Sequence, residues 1–251
     1  SEASDVYKRQ FLDYIKKRKN ILSSYKKAID LIIKIQKIKL KKKYKFKNKD
    51  VKFEKYTIKN LHKESDLFFN WYLKPLIKKN KFKTIKSKIR KELNQLYNQL
   101  YFKNIFFTHR DFHAANIMMT KNQLSLIDSQ DAIIGNPLYD VMSLIDDVRI
   151  KIPNNYKEIL FNYYYKKSKI KKERKINLKN DYDILSIQRN LKILGIFVRL
   201  FIRDKKPGYL KYLPHTWQLI DMRMKNPIFK RLRLLLINNL KIKEIKKAKF
   251  K

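Results

Sequence analysis

THRDFHAANIMMTKNQLSLIDSQDA, residues 108–132, combines two histidines and three aspartates with two short apolar runs. The runs are Ile117–Met119 and Leu124–Ile127, and the four residues between them are polar and turn-like. Two short apolar runs separated by such a turn predict a β-hairpin. Because a hairpin folds the chain back on itself, it would place Asp128 beside Asn116. The segment therefore predicts a cluster of polar side chains around one small β element.

The same segment contains the pattern H-R-D-x-x-x-x-N, from His109 to Asn116, which is typical of the catalytic loop of phosphoryl-transfer enzymes. A carboxylate at Asp111 can accept the proton of an acceptor hydroxyl. Asn116 and Asp128 offer oxygen ligands of the kind that Mg²⁺ prefers. We expect His109 to be a buried orienting residue of the catalytic loop. The pattern thus predicts a magnesium-dependent site with Asp111 as its base.

The charge distribution singles out this part of the chain. The whole chain has 62 Lys and Arg against 22 Asp and Glu, a net charge of +40, and its many lysines are read as solvated surface residues. Residues 101–150 instead hold four basic and six acidic side chains. Among these acids, Asp140 is expected to cap or anchor the helix that follows it. Asp146 and Asp147 are expected to lie on a solvated helix face.

Composition excludes several other kinds of site. The chain has no cysteine, which excludes disulfides, zinc–thiolate centres and a cysteine nucleophile. The sequence contains no run of about 18 apolar residues, so no membrane span is expected. No apolar signal core follows the N-terminus, so the cytoplasm is the expected compartment.

Helical periodicity dominates on both sides of the hairpin. Residues 1–10, SEASDVYKRQ, do not join this pattern and are interpreted as an adaptor scar, which leaves residues 11–251 as one domain. The spacing of apolar residues predicts helices, and residues 191–202 are apolar nearly all round, as in a central buried helix. The other expectations are helices over 11–40 and 83–103, a basic loop over 41–61, and a helix that starts at Glu64–Asp66.

Several stretches resemble one known superfamily. THRDFHAANIMM, at 108–119, and LSLIDSQDAIIGNPLYDVMSLIDDVR, at 124–149, are similar to the aminoglycoside phosphotransferase/choline kinase-like superfamily. KESDLFFNWYL, at 63–73, and QRNLKILGIFVRLFIRDKKPGYLKYLP, at 188–214, narrow the resemblance to bacterial anomeric kinases of N-acetylmuramate and N-acetylglucosamine. Ser129 departs from that group, in which an aromatic residue is more usual. The resemblance covers roughly residues 60–235.

The resemblance implies a function. It implies ATP as the phosphoryl donor, Mg²⁺ held by Asn116 and Asp128, Asp111 as the catalytic base, and a sugar's anomeric hydroxyl as the acceptor in cell-wall recycling. Arginine prefers bidentate contacts with carboxylates. Three arginines in the region where the superfamily builds its acceptor pocket are therefore candidates for substrate binding, with salt bridges as the alternative role: Arg189, Arg199 and Arg203.

The resemblance also implies a fold. The expected class is α+β: the mainly helical C-terminal lobe of a protein-kinase-like fold, with a small β-hairpin at the catalytic loop and the N-terminal β-lobe missing. The first glycine is Gly135, so no glycine-bearing phosphate loop precedes the catalytic segment. We therefore expect residues 1–251 alone to bind ATP weakly and to turn over negligibly.

Two alternatives stay open at this point. The acceptor could be another small alcohol, such as an aminoglycoside or a choline-type molecule, although acidic residues are sparse after residue 151. The chain could instead be a basic nucleic-acid-binding module, because aromatic residues are interleaved with lysines over 41–57 and 161–172. A nucleic-acid-binding module does not need the set of Asp111, Asn116 and Asp128. We therefore expect a small-molecule sugar as the partner.

Overall fold

The computed structural model describes residues 9–17, 20–41, 43–46, 49–120, 123–170, 172–240 and 242–250. The chain forms two compact units, Ser1–Tyr56 with Phe102–Lys175 and Thr57–Tyr101 with Ile176–Lys251. Residues 1–8 of the predicted adaptor scar lie outside the described residues, and Arg9–Gln10 form a strand. The boundary at residue 10 and the single domain over 11–251 stay predictions.

Helices predominate, and the strands are short. The strands are β1 (Arg9–Gln10), β2 (Tyr44–Phe46), β3 (Lys49–Val51), β4 (Phe106–Thr108), β5 (Ile117–Met119), β6 (Leu124–Leu126) and β7 (Ile133–Gly135). The helices are α1 (Phe11–Lys16), α2 (Leu22–Gln36), α3 (Ile58–Leu67), α4 (Lys79–Asn98), α5 (Tyr139–Ile145), α6 (Asn154–Lys167), α7 (Lys175–Ile202), α8 (Leu213–Arg223), α9 (Lys230–Asn239) and α10 (Ile242–Lys246). The predicted α+β class, a helical body with small antiparallel sheets, is confirmed. None of the described helices has the length and apolarity needed to cross a membrane.

The predicted hairpin is present in the first unit. Strands β5 and β6 pair antiparallel, with Ile117 opposite Leu126 and Met119 opposite Leu124. Strand β1 pairs with the other edge of β5, so the sheet order is β1-β5-β6. A separate antiparallel pair joins β4 to β7. Strand β7 was not predicted, because its partner β4 ends 25 residues earlier in the chain and no short turn joins the two.

Helix α5 forms the centre of the first unit. All seven of its residues are buried, including Asp140 and Ser143. Helix α2 packs along α6, and the hydroxyl of Tyr164 on α6 donates a hydrogen bond to Gln36 Oε1 on α2, at 2.8 Å. An apolar core with a few bonded polar groups therefore surrounds the segment between β4 and β6.

Helix α7 is the central element of the second unit. The prediction that residues 191–202 form a buried helix is confirmed, and the helix begins earlier, at Lys175. Tyr72 joins two other parts of this unit, because its hydroxyl accepts a hydrogen bond from Trp217 Nε1 (2.8 Å) and donates one to the carbonyl of Ile245 (2.6 Å). The Phe68 ring stacks on the Tyr72 ring.

Gly195 allows α7 to lie directly against the end of α3. A Cβ atom at this position would lie 2.2 Å from the carbonyl carbon of Leu67 and 2.3 Å from its oxygen. Backbone atoms cannot move aside as a flexible side chain can, so the contact requires glycine. The two helices can thus lie this close only because Gly195 has a hydrogen atom where alanine has a methyl group.

We predict that Gly195→Ala destabilises the protein. Overpacking of this kind costs about 1–3 kcal/mol, and the gain in helix propensity from glycine to alanine offsets at most about 1 kcal/mol of that. Urea unfolding should show a lower midpoint at an unchanged slope. Gly208→Ala is the matched control, because a Cβ there would meet no atom within 4 Å. Equal midpoints for the two variants would contradict the prediction.

Two local predictions were wrong. The helix placed at Glu64–Asp66 begins at Ile58, because Thr57 and Asn60 form a capping box that satisfies the first backbone donors. The basic loop predicted over 41–61 contains the hairpin β2–β3 and the start of α3. Lysines in β2 and β3 obscured the strand pattern. Lys42, Lys47 and Asn48 of that stretch lie outside the described residues.

Candidate active site

Strand β4 leads directly into the predicted catalytic loop. It is held by β7, with Phe106 opposite Gly135. Gly135 is needed there, because a Cβ atom would lie 2.6 Å from the Oγ1 of buried Thr108. The close approach of β7 fixes the end of β4, and His109 is the next residue.

A carboxylate on the buried helix α5 holds the start of the loop. Asp140 is 1% exposed, and its Oδ2 and Oδ1 accept hydrogen bonds from the backbone N–H groups of His109 (2.7 Å) and Arg110 (3.0 Å). Arg110 has a positive φ of 70°, a conformation that costs free energy for a residue with a side chain. The two bonds from Asp140 stabilise that conformation and so set the direction in which Asp111 leaves the loop.

Asp111 and Asn116 are joined within the loop. Asn116 ends a single 3₁₀ turn, Ala114–Asn116, and its Nδ2 donates to the carbonyl oxygen of Asp111 at 3.1 Å. The N–H of His113 donates to the same carbonyl at 2.9 Å. With Nδ2 engaged, Oδ1 is the Asn116 atom available to a cation. The Asp111 carboxylate is half-buried and accepts no hydrogen bond from the described residues.

The hairpin brings Asp128 to the same place. The N–H of Ile127 donates to the carbonyl of Asn116 at 3.1 Å, which continues the β5–β6 ladder to the residue before Asp128. Asp128 is exposed and has a positive φ of 62°. Positive φ at a non-glycine residue is uncommon and tends to occur at functional sites. The chain therefore turns sharply here and presents a carboxylate to solvent beside Asn116.

His109 connects the loop to the hairpin. Its ring is buried, and its Nε2 lies 3.1 Å from the carbonyl oxygen of Ile127. Because a carbonyl can only accept, Nε2 carries the hydrogen. Burial lowers the pKa of His109, while the nearby carboxylates of Asp111 and Asp128 act in the opposite direction. A neutral, bonded imidazole fits the orienting role predicted for His109.

The geometry thus collects a solvent-accessible carboxylate at Asp111, an amide oxygen at Asn116 and a second carboxylate at Asp128. One hydrogen-bonded framework of loop, 3₁₀ turn and hairpin holds all three. A set of this kind can accept a proton and bind a hard cation at neighbouring positions.

Residues 53–173, which include this framework, match the model of the phosphotransferase enzyme family. The match covers 121 of 251 residues, just under half of the chain. This stretch is therefore similar to the phosphotransferase enzyme family. The match includes the loop and the hairpin that build the site.

The chain is similar to curated proteins that share one name. It is similar to the N-acetylmuramate/N-acetylglucosamine kinase of Pseudomonas aeruginosa, 32% identical over 119 residues, 46% of this chain and 35% of the relative. It is 25% identical over 224 residues to the kinase of that name from Pseudomonas putida, 86% of this chain and 62% of the relative. The chain therefore spans about a third to three fifths of the length of these relatives.

The chain also resembles a solved structure in its fold. A choline/ethanolamine kinase family protein from Mesorhizobium loti matches with a TM-score of 0.55 at 16% identity. The match covers 89% of this chain and 68% of that one. At this identity the likeness establishes the kinase-like fold alone.

The residues present fit a magnesium ion. Mg²⁺ is usually held by one or two carboxylates with waters and substrate phosphates. Asp128 with Asn116 Oδ1 meets that minimum. The described residues contain no cluster of three or more His, Cys, Asp or Glu, as a metal site built from the protein alone would need. The donor set therefore suits a cation that arrives with a nucleotide.

The three arginines predicted to bind substrate differ from one another. All belong to the second unit, whereas the catalytic loop belongs to the first. Arg189 is 5% exposed, and Nη1 of this residue and Nε of Arg199 are buried without a hydrogen-bond partner among the described residues. Arg203 lies beyond the end of α7 and bonds Asp204 through both Nε (2.7 Å) and Nη2 (3.0 Å). Arg203 therefore has the alternative role, a salt bridge.

Two acidic residues were placed wrongly by sequence reasoning. Asp146 and Asp147, expected on a solvated face, are fully buried. Asp146 pairs with Lys157 at 2.9 Å, and Asp147 accepts hydrogen bonds from the backbone of Ala114 (3.3 Å) and Arg149 (3.1 Å). Asp147 therefore supports the turn that carries Asn116.

Asp140 is the supporting residue that sequence reasoning missed. It was expected to serve its own helix, but its carboxylate binds the loop 30 residues earlier. The local excess of acids over bases in residues 101–150 was the available signal for all three aspartates.

Several of the aromatic residues behind the nucleic-acid alternative have partners within the first unit. The hydroxyl of Tyr163 bonds the carboxylate of Asp30 at 2.9 Å, and Tyr164 is fully buried. Phe53 packs edge-on against Tyr44 and Phe107. These aromatic side chains are therefore engaged in contacts within the unit.

Proposed function

We propose that the protein is part of an ATP-dependent kinase that phosphorylates the anomeric hydroxyl of N-acetylmuramate or N-acetylglucosamine, for cell-wall sugar recycling in the cytoplasm. The observation that carries the proposal is the convergence of Asp111, Asn116 and Asp128 on one bonded framework around His109. The names of the curated relatives support the choice of acceptor.

Asp111 performs the proton transfer in this proposal. Its carboxylate accepts the proton of the acceptor hydroxyl while the hydroxyl oxygen forms a bond to the γ-phosphorus of ATP. The bond from that phosphorus to the bridging oxygen breaks, and ADP leaves with the electron pair. His109 keeps its hydrogen bond to Ile127 throughout and holds the loop against the hairpin. Asp140 keeps the loop backbone in place.

Asn116 and Asp128 hold the cation. When Mg²⁺ is bound, it offsets the negative charge of the nucleotide phosphates and helps to align them. Exposure of Asp128 suits this role, because the carboxylate has no competing cationic partner among the described residues.

An acceptor screen tests the proposal. The 251-residue chain and the longest natural chain that contains it are incubated with ATP, Mg²⁺ and one acceptor at a time. In the longer chain, N-acetylmuramate and N-acetylglucosamine should yield an acid-labile anomeric phosphate together with ADP, whereas the 251-residue chain should turn over negligibly. Phosphorylation of choline or of an aminoglycoside, but of neither sugar, would overturn the acceptor and keep the reaction type. ADP release with no acceptor preference in either chain would overturn the proposal.

We predict that Asp128→Asn raises the Mg²⁺ concentration required for half-maximal activity at least about tenfold. Loss of one charged oxygen ligand from so small a donor set weakens the hold on a hard cation. The measurement is initial rate against free Mg²⁺ at saturating ATP. Asp131→Asn is the matched control, because it removes the same charge from an exposed position three residues away. An unchanged Mg²⁺ requirement for Asp128→Asn would contradict its assignment as a ligand.

A further inference from the structure

Arg189 differs from the other buried cations. Three cationic side chains are buried among the described residues, and two of them have carboxylate partners. Lys157 pairs with Asp146 at 2.9 Å, and Arg223 pairs with Asp183 at 3.5 Å. Arg189 is 5% exposed, forms no ion pair with a described carboxylate, and has a buried Nη1 without a hydrogen-bond partner in the described part of the chain.

The residues around Arg189 along α7 do not supply the missing negative charge. Glu64 is the buried carboxylate of α3, and it is bound by Lys192 (3.2 Å) and by Gln188 Nε2 (3.0 Å). The side-chain oxygens of Gln188 and Asn190 are buried and unpaired, but they are neutral. The charge of Arg189 therefore remains without compensation in this unit.

An unpaired buried charge is costly. Arginine does not lose its proton in a protein, so Arg189 cannot escape the cost by becoming neutral. Buried charges are normally paired, and a well-packed apolar side chain in the same place would be more favourable for folding. A guanidinium kept in such a position is explained by an anion that binds to it.

We propose that Arg189 is the centre of an oxyanion-binding site, which takes a ligand with a carboxylate or a phosphate group. The planar guanidinium offers two parallel donors that match the two oxygens of either group. The proposal stands on the burial of Arg189 and the absence of a protein partner. Assigning the carboxylate of N-acetylmuramate as the ligand group rests in addition on the proposed function.

Neighbouring charges on α7 favour the same kind of ligand. At about 100° per residue, Arg189, Lys192 and Arg199 fall within an arc of about 80° of the helix. Lys192 is bound to Glu64, whereas Nε of Arg199 is buried without a hydrogen-bond partner among the described residues. Arg199 therefore adds an uncompensated donor to the positive potential along this face.

Binding measurements test the site without any turnover. Isothermal calorimetry on the 251-residue chain, without ATP, uses three probes: N-acetylmuramate, N-acetylglucosamine and inorganic phosphate. The two sugars differ by the lactyl group that carries the carboxylate. Tighter binding of N-acetylmuramate than of N-acetylglucosamine supports the carboxylate as the ligand group. Binding of phosphate with no preference between the sugars supports the oxyanion site and rejects the sugar carboxylate as its source.

Arg189→Met and Arg233→Gln separate this site from general charge effects. Arg189→Met should weaken binding of the responding oxyanion at least about tenfold, whereas Arg233→Gln, which removes the same charge from an exposed position on α9, should leave it unchanged. In the absence of ligand, Arg189→Met should keep or raise the urea midpoint, since it removes an uncompensated charge. A structural role for Arg189 would lower that midpoint instead.

Two results would overturn the proposal of an oxyanion site at Arg189. It is overturned if neither N-acetylmuramate nor phosphate binds, or if Arg189→Met binds them as tightly as the wild type. If the methionine variant does not fold, Arg189→Gln replaces it with the same expectations for binding. Because the binding measurements use no ATP, they can be interpreted even if the kinase assay shows no activity. Loss of the oxyanion site would equally leave the tests at Asp111 and Asp128 intact.

Discussion

Replacing Asp111 with asparagine is expected to lower kcat for sugar phosphorylation by about 10²- to 10⁴-fold, the usual contribution of a general base. Asparagine keeps the size of the side chain and removes its ability to take the hydroxyl proton. The loop should keep its shape, because it is held by the Asp111 carbonyl and by Asp140 and not by the Asp111 carboxylate. The KM for ATP should therefore change little. Steady-state kinetics with N-acetylmuramate and with N-acetylglucosamine measure both quantities.

Asp131→Asn is again the control for Asp111→Asn, since it removes one negative charge from an exposed position 20 residues later in the chain. It should retain wild-type kcat. Circular dichroism and the urea midpoint should be unchanged in both variants, which separates a chemical effect from unfolding. If Asp111→Asn retained more than about a tenth of the wild-type kcat, the assignment of the base would be wrong.

Asp140→Ala is expected to have the largest effect on stability. It leaves the backbone N–H groups of His109 and Arg110 without their acceptor, and each unsatisfied buried donor costs about 1–3 kcal/mol. The free energy of unfolding should fall by about 2–6 kcal/mol. The strained conformation at Arg110 also loses its support, so activity should be lost with stability. Urea unfolding followed by circular dichroism measures the first quantity.

Asp140→Asn distinguishes positioning from folding. Its amide keeps one acceptor oxygen for the two loop donors, so the loss of stability should be smaller than for alanine. Its kcat should still fall, because the loop is held by one bond in place of two. Full kcat and full stability in Asp140→Asn would show that the loop does not depend on this carboxylate. Asp131→Ala serves as the surface control for the alanine variant.

The catalytic segment could be predicted in detail because its signal is local. The order of His109, Asp111 and Asn116 and the two apolar runs after them predicted the hairpin that the structure contains. The central helix was predicted for the same reason, since residues 191–202 are apolar on nearly every face. Features a few residues long, with no periodic pattern, escaped prediction. Strand β7 and the capped start of α3 belong to this class.

The amino-acid sequence by itself determined which chemical groups are present and in what order, and therefore the type of site they predict. Only the tertiary structure decided which acids are buried and what they hold. Asp140 and Asp147 bind backbone groups about 30 residues earlier in the chain, and Asp146 pairs with Lys157 on the next helix. The burial of Arg189 without a carboxylate partner is likewise visible only in the tertiary structure. The physical reason is that hydrogen bonding and periodicity act between neighbours in sequence, whereas burial and charge pairing depend on which distant segments pack together.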